Sequence, residues 1–232
     1  MSGAVNGQGA SVPVAPVSAA SRRFYRVVRV VFMAFFRSWL RMSVSGTEHV
    51  PTEGGFVLAP GGHRSIIDTG VVAGATPRML RYMGAETYFA IPGLGWFLRS
   101  VGGFPVERSV TDRAALRLAE QVLADGEPLV VFPEATRYSG PVVQPLKEGA
   151  AFLACRAGVP IVPVGIGGAE AAWPKGAKFI RPRRMAIVVG PPLYPPSREP
   201  GERVKRSAIR SLTEELHGEL QSLFDQAEAL TR

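Results

Sequence analysis

The sequence predicts an α/β fold: a mostly parallel central sheet covered by helices on both faces. Three features carry that expectation. Short apolar runs are closed by proline or glycine, amphipathic stretches lie between them, and the two alternate from Gly54 onward. With 232 residues, 46% hydrophobic and 20% charged, the chain can build one sizeable core, and it shows no internal repeat or interdomain linker.

Residues 1–21 are mostly Gly, Ala, Ser, Val and Pro and are expected to form a disordered tail, without the charged start and compact apolar run of a signal peptide. The stretch RRFYRVVRVVFMAFFRSWLRMS that follows reads as an amphipathic helix. At about 100° per residue, Arg22, Arg26, Arg29, Arg37 and Arg41 share roughly a third of its circumference. Phe24, Val27, Val28, Val31, Phe32, Phe35, Phe36 and Trp39 cover much of the remainder. Its longest apolar run, Val30 to Phe36, is far short of the ~20 residues of a span. The expectation is an interfacial helix within residues 22–45, meeting a membrane surface through 22–42, with aromatics at the acyl boundary and arginines at headgroups. The alternative is a helix packed on the domain with its arginines in water.

Residues 46–232 form the expected α/β domain. GFVLAP is a short strand closed by Pro60. VTDRAALRLAEQVLADG is a helix starting near Ser109, with Asp112 completing a capping box, and ending at Gly126. PLVVFP is a strand, LKEGAAFLACRAG a helix, VPIVPVGI and RMAIVVGPPL strands. ERVKRSAIRSLTEELHGELQSLFDQAEAL is a long amphipathic helix.

Charge and cysteine narrow the function classes. Lys and Arg number 27 against 19 acids, a net +8, and no acid precedes Glu48. A basic segment of this kind suits an anionic partner, a nucleic acid or an acidic membrane. FIRPRRM adds more arginines, but no nucleic-acid motif with interleaved stacking aromatics is present. The single cysteine, Cys155, excludes an internal disulfide framework, and its small apolar neighbours suit a buried structural thiol.

In a parallel sheet the site lies beyond the carboxyl ends of the strands. Two stretches, APGGHRSIID and FPEATR, directly follow predicted strands and so fall on the same edge. His63 and Asp68 cannot face one another inside one regular helix, because five residues rotate by about 140°. They meet if His63 sits in the turn and a helix begins near Ser65, with Gly61 and Gly62 supplying a permissive backbone. Asp68 then fixes the imidazole tautomer and leaves the other nitrogen as a general base. Ser65 to Asp68 also reads as a capping box, which is compatible because a carboxylate has two oxygens. Glu134 can order a neighbouring arginine or accept from a substrate hydroxyl. Arg137, and Arg108 after the Gly-Gly turn of SVGGFPVERS, offer planar donors for a phosphate.

These blocks together resemble the glycerolipid acyltransferase family that contains the 1-acylglycerol-3-phosphate acyltransferases. The family's His-x4-Asp block matches His63 to Asp68, and its second block matches GGFPVER, ending at Arg108. Phe-Pro-Glu-Gly-Thr-Arg matches FPEATR, residues 132–137, and Val-Pro-Ile-Val-Pro-Val matches Val159 to Val164 residue for residue. The ordered set spans roughly residues 50–165, and IPGLGWFLRSVGG is also similar to the family. Gly62 stands where the family often has Asn, Ala135 replaces the Gly of the third block, and Gly84-Ala85-Glu86 stands where a Lys is common.

The resemblance implies that His63, oriented by Asp68, deprotonates a lipid hydroxyl that attacks an acyl thioester, from acyl-CoA or acyl-ACP as co-substrate, without cofactor or metal. It implies substrate binding by Arg64, Ser65, Arg108, Glu134, Thr136 and Arg137. The acceptor would be a lysophospholipid, foremost 1-acyl-sn-glycerol 3-phosphate, and the enzyme would sit peripherally or monotopically on the cytoplasmic face of the cell membrane. Two alternatives stay open: another lipid or glycolipid acceptor, and an acyl-thioester or lipid hydrolase. The chain has no Gly-x-Ser-x-Gly elbow, which weighs against the hydrolase.

Overall fold

The computed structural model describes residues 17–106, 112–174, 176–197 and 203–232. In chain order it contains α1 (Ala19–Trp39), β1 (Ser43–Ser45), β2 (Val57–Gly61), α2 (Asp68–Val71), β3 (Arg81–Ala85), α3 (Glu86–Phe89), α4 (Leu94–Ser100) and β4 (Gly103–Val106). There follow α5 (Asp112–Ala124), β5 (Leu129–Val130), α6 (Gly149–Ala157), β6 (Ile161–Gly167), α7 (Ala169–Ala172), β7 (Ala186–Val189) and α8 (Arg206–Ala229).

The strands form one sheet in the order β1-β7-β6-β2-β5-β3-β4. Every pairing is parallel except β6 with β7. The two faces follow from the period-2 alternation of strand side chains. Val57, Ala59 and Ile161 point into a core with α5, α6 and α8, while Phe56, Leu58, Val162, Val164 and Ile166 point into a second core under α1. The expected helices on both faces of a mostly parallel sheet are present.

Glycine sets how closely α8 lies on the sheet. A Cβ at Gly165 would stand 2.2 Å from the carbonyl oxygen of Leu223, and one at Gly167 2.4 Å from the backbone of Ala227. The motif Val-Pro-Val-Gly-Ile-Gly therefore presents branched side chains to one face and, at Gly165 and Gly167, bare backbone to the other.

The amino-terminal region differs from expectation at both ends. Helix α1 begins at Ala19, inside the expected tail, because Ser18 caps it by accepting from the Ser21 N–H at 3.0 Å. It ends at Trp39, since Arg41 turns to φ 45° and residues 43–45 are strand β1 against β7 rather than helix. The helix packs on the domain through Tyr25, Met33 and Phe36. Arg22 pairs with Glu127 at 2.6 Å, and Arg29 donates to the Ala73 carbonyl at 2.9 Å. Yet Val27, Val30, Val31, Phe32, Phe35 and Trp39 remain exposed. The helix thus combines the packing of one expectation with the bare apolar stripe of the other. Among the described residues no helix is long and apolar enough to cross a membrane.

Helix α5 is in place, while the expected cap at Ser109 lies outside the described residues.

Candidate active site

Strand β2 ends at Gly61, and Gly62 (φ 73°) turns the chain so that His63 stands above the carboxyl edge of the sheet. Strand β5 runs parallel beside β2 and delivers Phe132 and Glu134 to the same edge. His63 Nδ1 lies 2.9 Å from Asp68 Oδ2. The same oxygen accepts the backbone N–H groups of Arg64 (2.9 Å) and Ser65 (2.8 Å). A carboxylate oxygen surrounded by donors has its partner nitrogen protonated, so His63 carries its proton on Nδ1 and presents Nε2 as the acceptor. The Phe132 ring packs on the imidazole with centroids 4.3 Å apart and limits its tilt. The His63 side chain stays 14% exposed, open to a substrate, whereas Asp68 is fully buried.

The short helix α2 starts at Asp68, as the turn-then-helix reading requires. Only half of the expected capping box forms. Asp68 reaches back to the Ser65 N–H, but the Ser65 hydroxyl donates to the Trp173 carbonyl at 2.8 Å, tying the turn to the segment after β6.

Arg64, Ser65 and Glu134, expected to bind substrate, make hydrogen bonds within the protein. Arg64 is buried and spends its guanidinium on the carbonyls of Gly140 (3.0 Å) and Val142 (2.8 Å) and on Glu134 Oε2 (3.2 Å). Glu134 accepts the His63 N–H at Oε1 (2.9 Å) and the Gln144 N–H at Oε2 (3.0 Å). Tyr138 N–H donates to the His63 carbonyl at 3.1 Å. Arg64 and Glu134 thus fasten the His63 turn to the 134–144 loop, and Ser65 fastens it to Trp173.

Thr136 and Arg137 stand exposed on that loop. Arg108 lies outside the described residues. Ala135 adopts φ 61°, the left-handed conformation for which glycine is suited.

Sequence reasoning missed the apolar surroundings. One groove of about 500 Å³ is lined by Val31, Phe32, Phe35, Ile66, Trp173 and Ile180 among others. A second, of about 220 Å³, lies between α1 and α4, with Phe32 and Gly70 shared by both. Ile66, exposed beside His63, was the available signal: a branched apolar residue in a polar turn has no reason to face water. Among the described residues no group of three or more His, Cys, Asp and Glu side chains is arranged to hold a metal ion.

Comparison with known proteins finds acyltransferases. A family model described as Acyltransferase matches residues 41–167. A 1-acyl-sn-glycerol-3-phosphate acyltransferase of Bacillus subtilis is 27% identical over 191 residues, covering 82% of this chain and 91% of the relative. One from Pseudomonas aeruginosa is 25% identical over 189 residues, covering 78% and 72%. The crystal structure of the 1-acyl-sn-glycerophosphate (LPA) acyltransferase PlsC from Thermotoga maritima superposes with a TM-score of 0.70 at 26% identity, covering 87% of this chain and 80% of that one.

Proposed function

The chain belongs to the acyltransferase family, and from that premise we propose that it transfers a fatty acyl group from a thioester to 1-acyl-sn-glycerol 3-phosphate, giving phosphatidic acid. One observation carries the mechanism: the 2.9 Å contact of His63 Nδ1 with Asp68, which orients Nε2 outward. Nε2 takes the proton of the acceptor hydroxyl as its oxygen attacks the thioester carbonyl carbon. The C–S bond then breaks, and the imidazolium returns the proton to the leaving thiolate. Asp68 stabilises the imidazolium between these steps. Arg137, exposed on the loop beside the site, holds the acceptor phosphate as a charge-assisted donor; Arg108 is assigned the same role from the sequence. Coenzyme A or acyl carrier protein serves as the thioester carrier.

Helix α1 is assigned to the bilayer surface, on the cytoplasmic leaflet, where anionic lipids attract basic segments. Its exposed valines and aromatics, next to apolar grooves that reach the His63 turn, support that assignment.

The test is thioester consumption with palmitoyl-coenzyme A and lysophosphatidate, other lipid acceptors, or none. The expected outcome is turnover that requires lysophosphatidate and disappears in His63→Ala. Thioester loss without an acceptor would instead mark a hydrolase.

A further inference from the structure

Two stretches without a single acidic residue, one before Glu48 and one from Ala171 to Ser197, converge on one face of the molecule. Trp39, at the end of α1, donates its indole N–H to the carbonyl of Ile180 at 3.1 Å. Ile180 lines the same groove as Val31, Phe32 and Phe35 of α1. Next to it Phe179 is 81% exposed, the most exposed of the large hydrophobic side chains described. Lys178, Arg181, Arg183 and Arg184 flank it in the sequence and are all exposed; Arg184 donates to the Arg232 carbonyl at 3.5 Å, and Arg181, Arg183 and Arg184 line a cleft that also holds Glu170, Asp225 and Glu228. The loop is fastened to the body: Arg181 N–H donates to the Ala172 carbonyl at 2.8 Å, and the Trp173 indole donates to Ala177 at 2.8 Å.

We propose that the 176–184 loop is a second membrane anchor, inserting Phe179 into an anionic bilayer while Lys178, Arg181, Arg183 and Arg184 engage lipid phosphates. The proposal rests on the assignment of α1 to the bilayer surface and extends it to a distant part of the chain. A protein partner would leave the same phenylalanine to be covered by apolar contact, but exposed cations on both sides of it in the sequence, in a stretch with no acid of its own, suit dense negative charge, which an anionic leaflet supplies beside an apolar phase. Two anchors also fix orientation. An α1 helix alone can roll about its axis, whereas α1 and the Phe179 loop together hold the intervening groove, and the Ile66 side of the His63 turn, against the membrane.

The experiment uses the full chain with vesicles of phosphatidylcholine containing phosphatidylglycerol. Nitroxide labels are placed singly at Phe179→Cys and Val31→Cys in a Cys155→Ala background, and immersion is read from collision with oxygen against a water-soluble nickel complex. Cosedimentation of wild type and Phe179→Ser measures partitioning; Phe179 has almost no packing in the fold to lose. The expected result is immersion of both labels and partitioning weakened about tenfold in Phe179→Ser. An aqueous label at 179 with an immersed one at 31 would overturn the second anchor and leave the α1 assignment standing. Immersion at 179 alone would uphold the loop and overturn α1, and no vesicle binding would overturn both.

Discussion

Asp68 Oδ2 lies 2.9 Å from Nδ1 of His63 and is held there by two further donors, the backbone N–H groups of Arg64 and Ser65. Its other oxygen, Oδ1, is buried and is the only such side-chain atom without a hydrogen-bond partner among the described residues. Asp68→Asn separates the two atoms. The amide oxygen retains the place of Oδ2, but the amide nitrogen then occupies the buried site of Oδ1, which makes no hydrogen bond in the fold, and brings two N–H groups there. If those N–H groups stay unpaired, the cost in stability is about 1–3 kcal/mol. The loss in kcat is larger, about 10²–10⁴-fold, because a neutral amide cannot stabilise the imidazolium. Denaturant unfolding and steady-state kinetics on the same protein separate the two effects, and an unchanged kcat would remove Asp68 from the mechanism.

Arg64 and Glu134 meet at 3.2 Å with both side chains essentially inaccessible to water. Glu134→Ala strands a buried guanidinium and also frees the N–H groups of His63 and Gln144, so we expect it to destabilise by about 3–5 kcal/mol. Arg64→Met strands the carboxylate instead. The double variant should cost clearly less than the sum of the singles, since neither charge remains unpaired. Urea unfolding of the four proteins gives the coupling, and strict additivity would show that the pair is not a unit.

The strand-and-helix alternation was legible in the sequence because buried strands such as Val57–Gly61 and Ile161–Gly167 are apolar throughout. Strands β1, β3 and β4 escaped because their residues, Ser43 or Gly84 for example, are small or polar and acquire strand geometry from their neighbours in the sheet. The pairing of His63 with Asp68 was legible too, since Gly62 and the five-residue spacing constrain it. The roles of Arg64 and Glu134 were not: seventy residues separate them, and a buried and an exposed arginine look alike in a sequence. Nor was the share of α1 that packs on the domain, for Val31 and Met33 differ only in which way the helix is rotated.

Ala135 holds a left-handed backbone, φ 61°, at a loop position next to Glu134. The Cβ costs about 1–2 kcal/mol there, while glycine loses about 0.4–1 kcal/mol more unfolded-chain entropy. The first term is the larger. Ala135→Gly should therefore raise stability by up to about 1 kcal/mol, a gain of roughly 2–4 °C in Tm for a chain of this size. A lower Tm would mean that the loop relaxes around alanine at no cost.

Arg137 is exposed on the loop that carries Glu134, and its proposed contact is with a phosphate. A charge-assisted hydrogen bond contributes about 1.5–3 kcal/mol, so Arg137→Ala should raise KM for lysophosphatidate about tenfold to a hundredfold, with little change for the acyl donor. The wild-type KM should rise with salt, because an exposed contact is screened, and the variant should lose much of that dependence. An effect confined to the donor would place Arg137 elsewhere in the site.

Gly62 stands where the family often has asparagine, and the structure supplies a physical reason. A Cβ at Gly62 would lie 2.3 Å from the Phe224 ring, which is buried and in turn carries the Arg64 guanidinium 5.0 Å from its centroid. Asparagine tolerates the positive φ of 73° at this position, so backbone strain does not decide the outcome; the ring does. Gly62→Asn, although it restores the family's residue, should destabilise by about 1–3 kcal/mol through overpacking. It should also lower turnover by displacing the turn that presents His63. Phe224→Leu alone opens a gap and weakens the Arg64 contact. Combined with Gly62→Asn it makes room for the new side chain, so the double variant should recover stability relative to Gly62→Asn. Thermal unfolding of the three variants reads this directly, and a Gly62→Asn protein as stable as wild type would show that Phe224 yields freely.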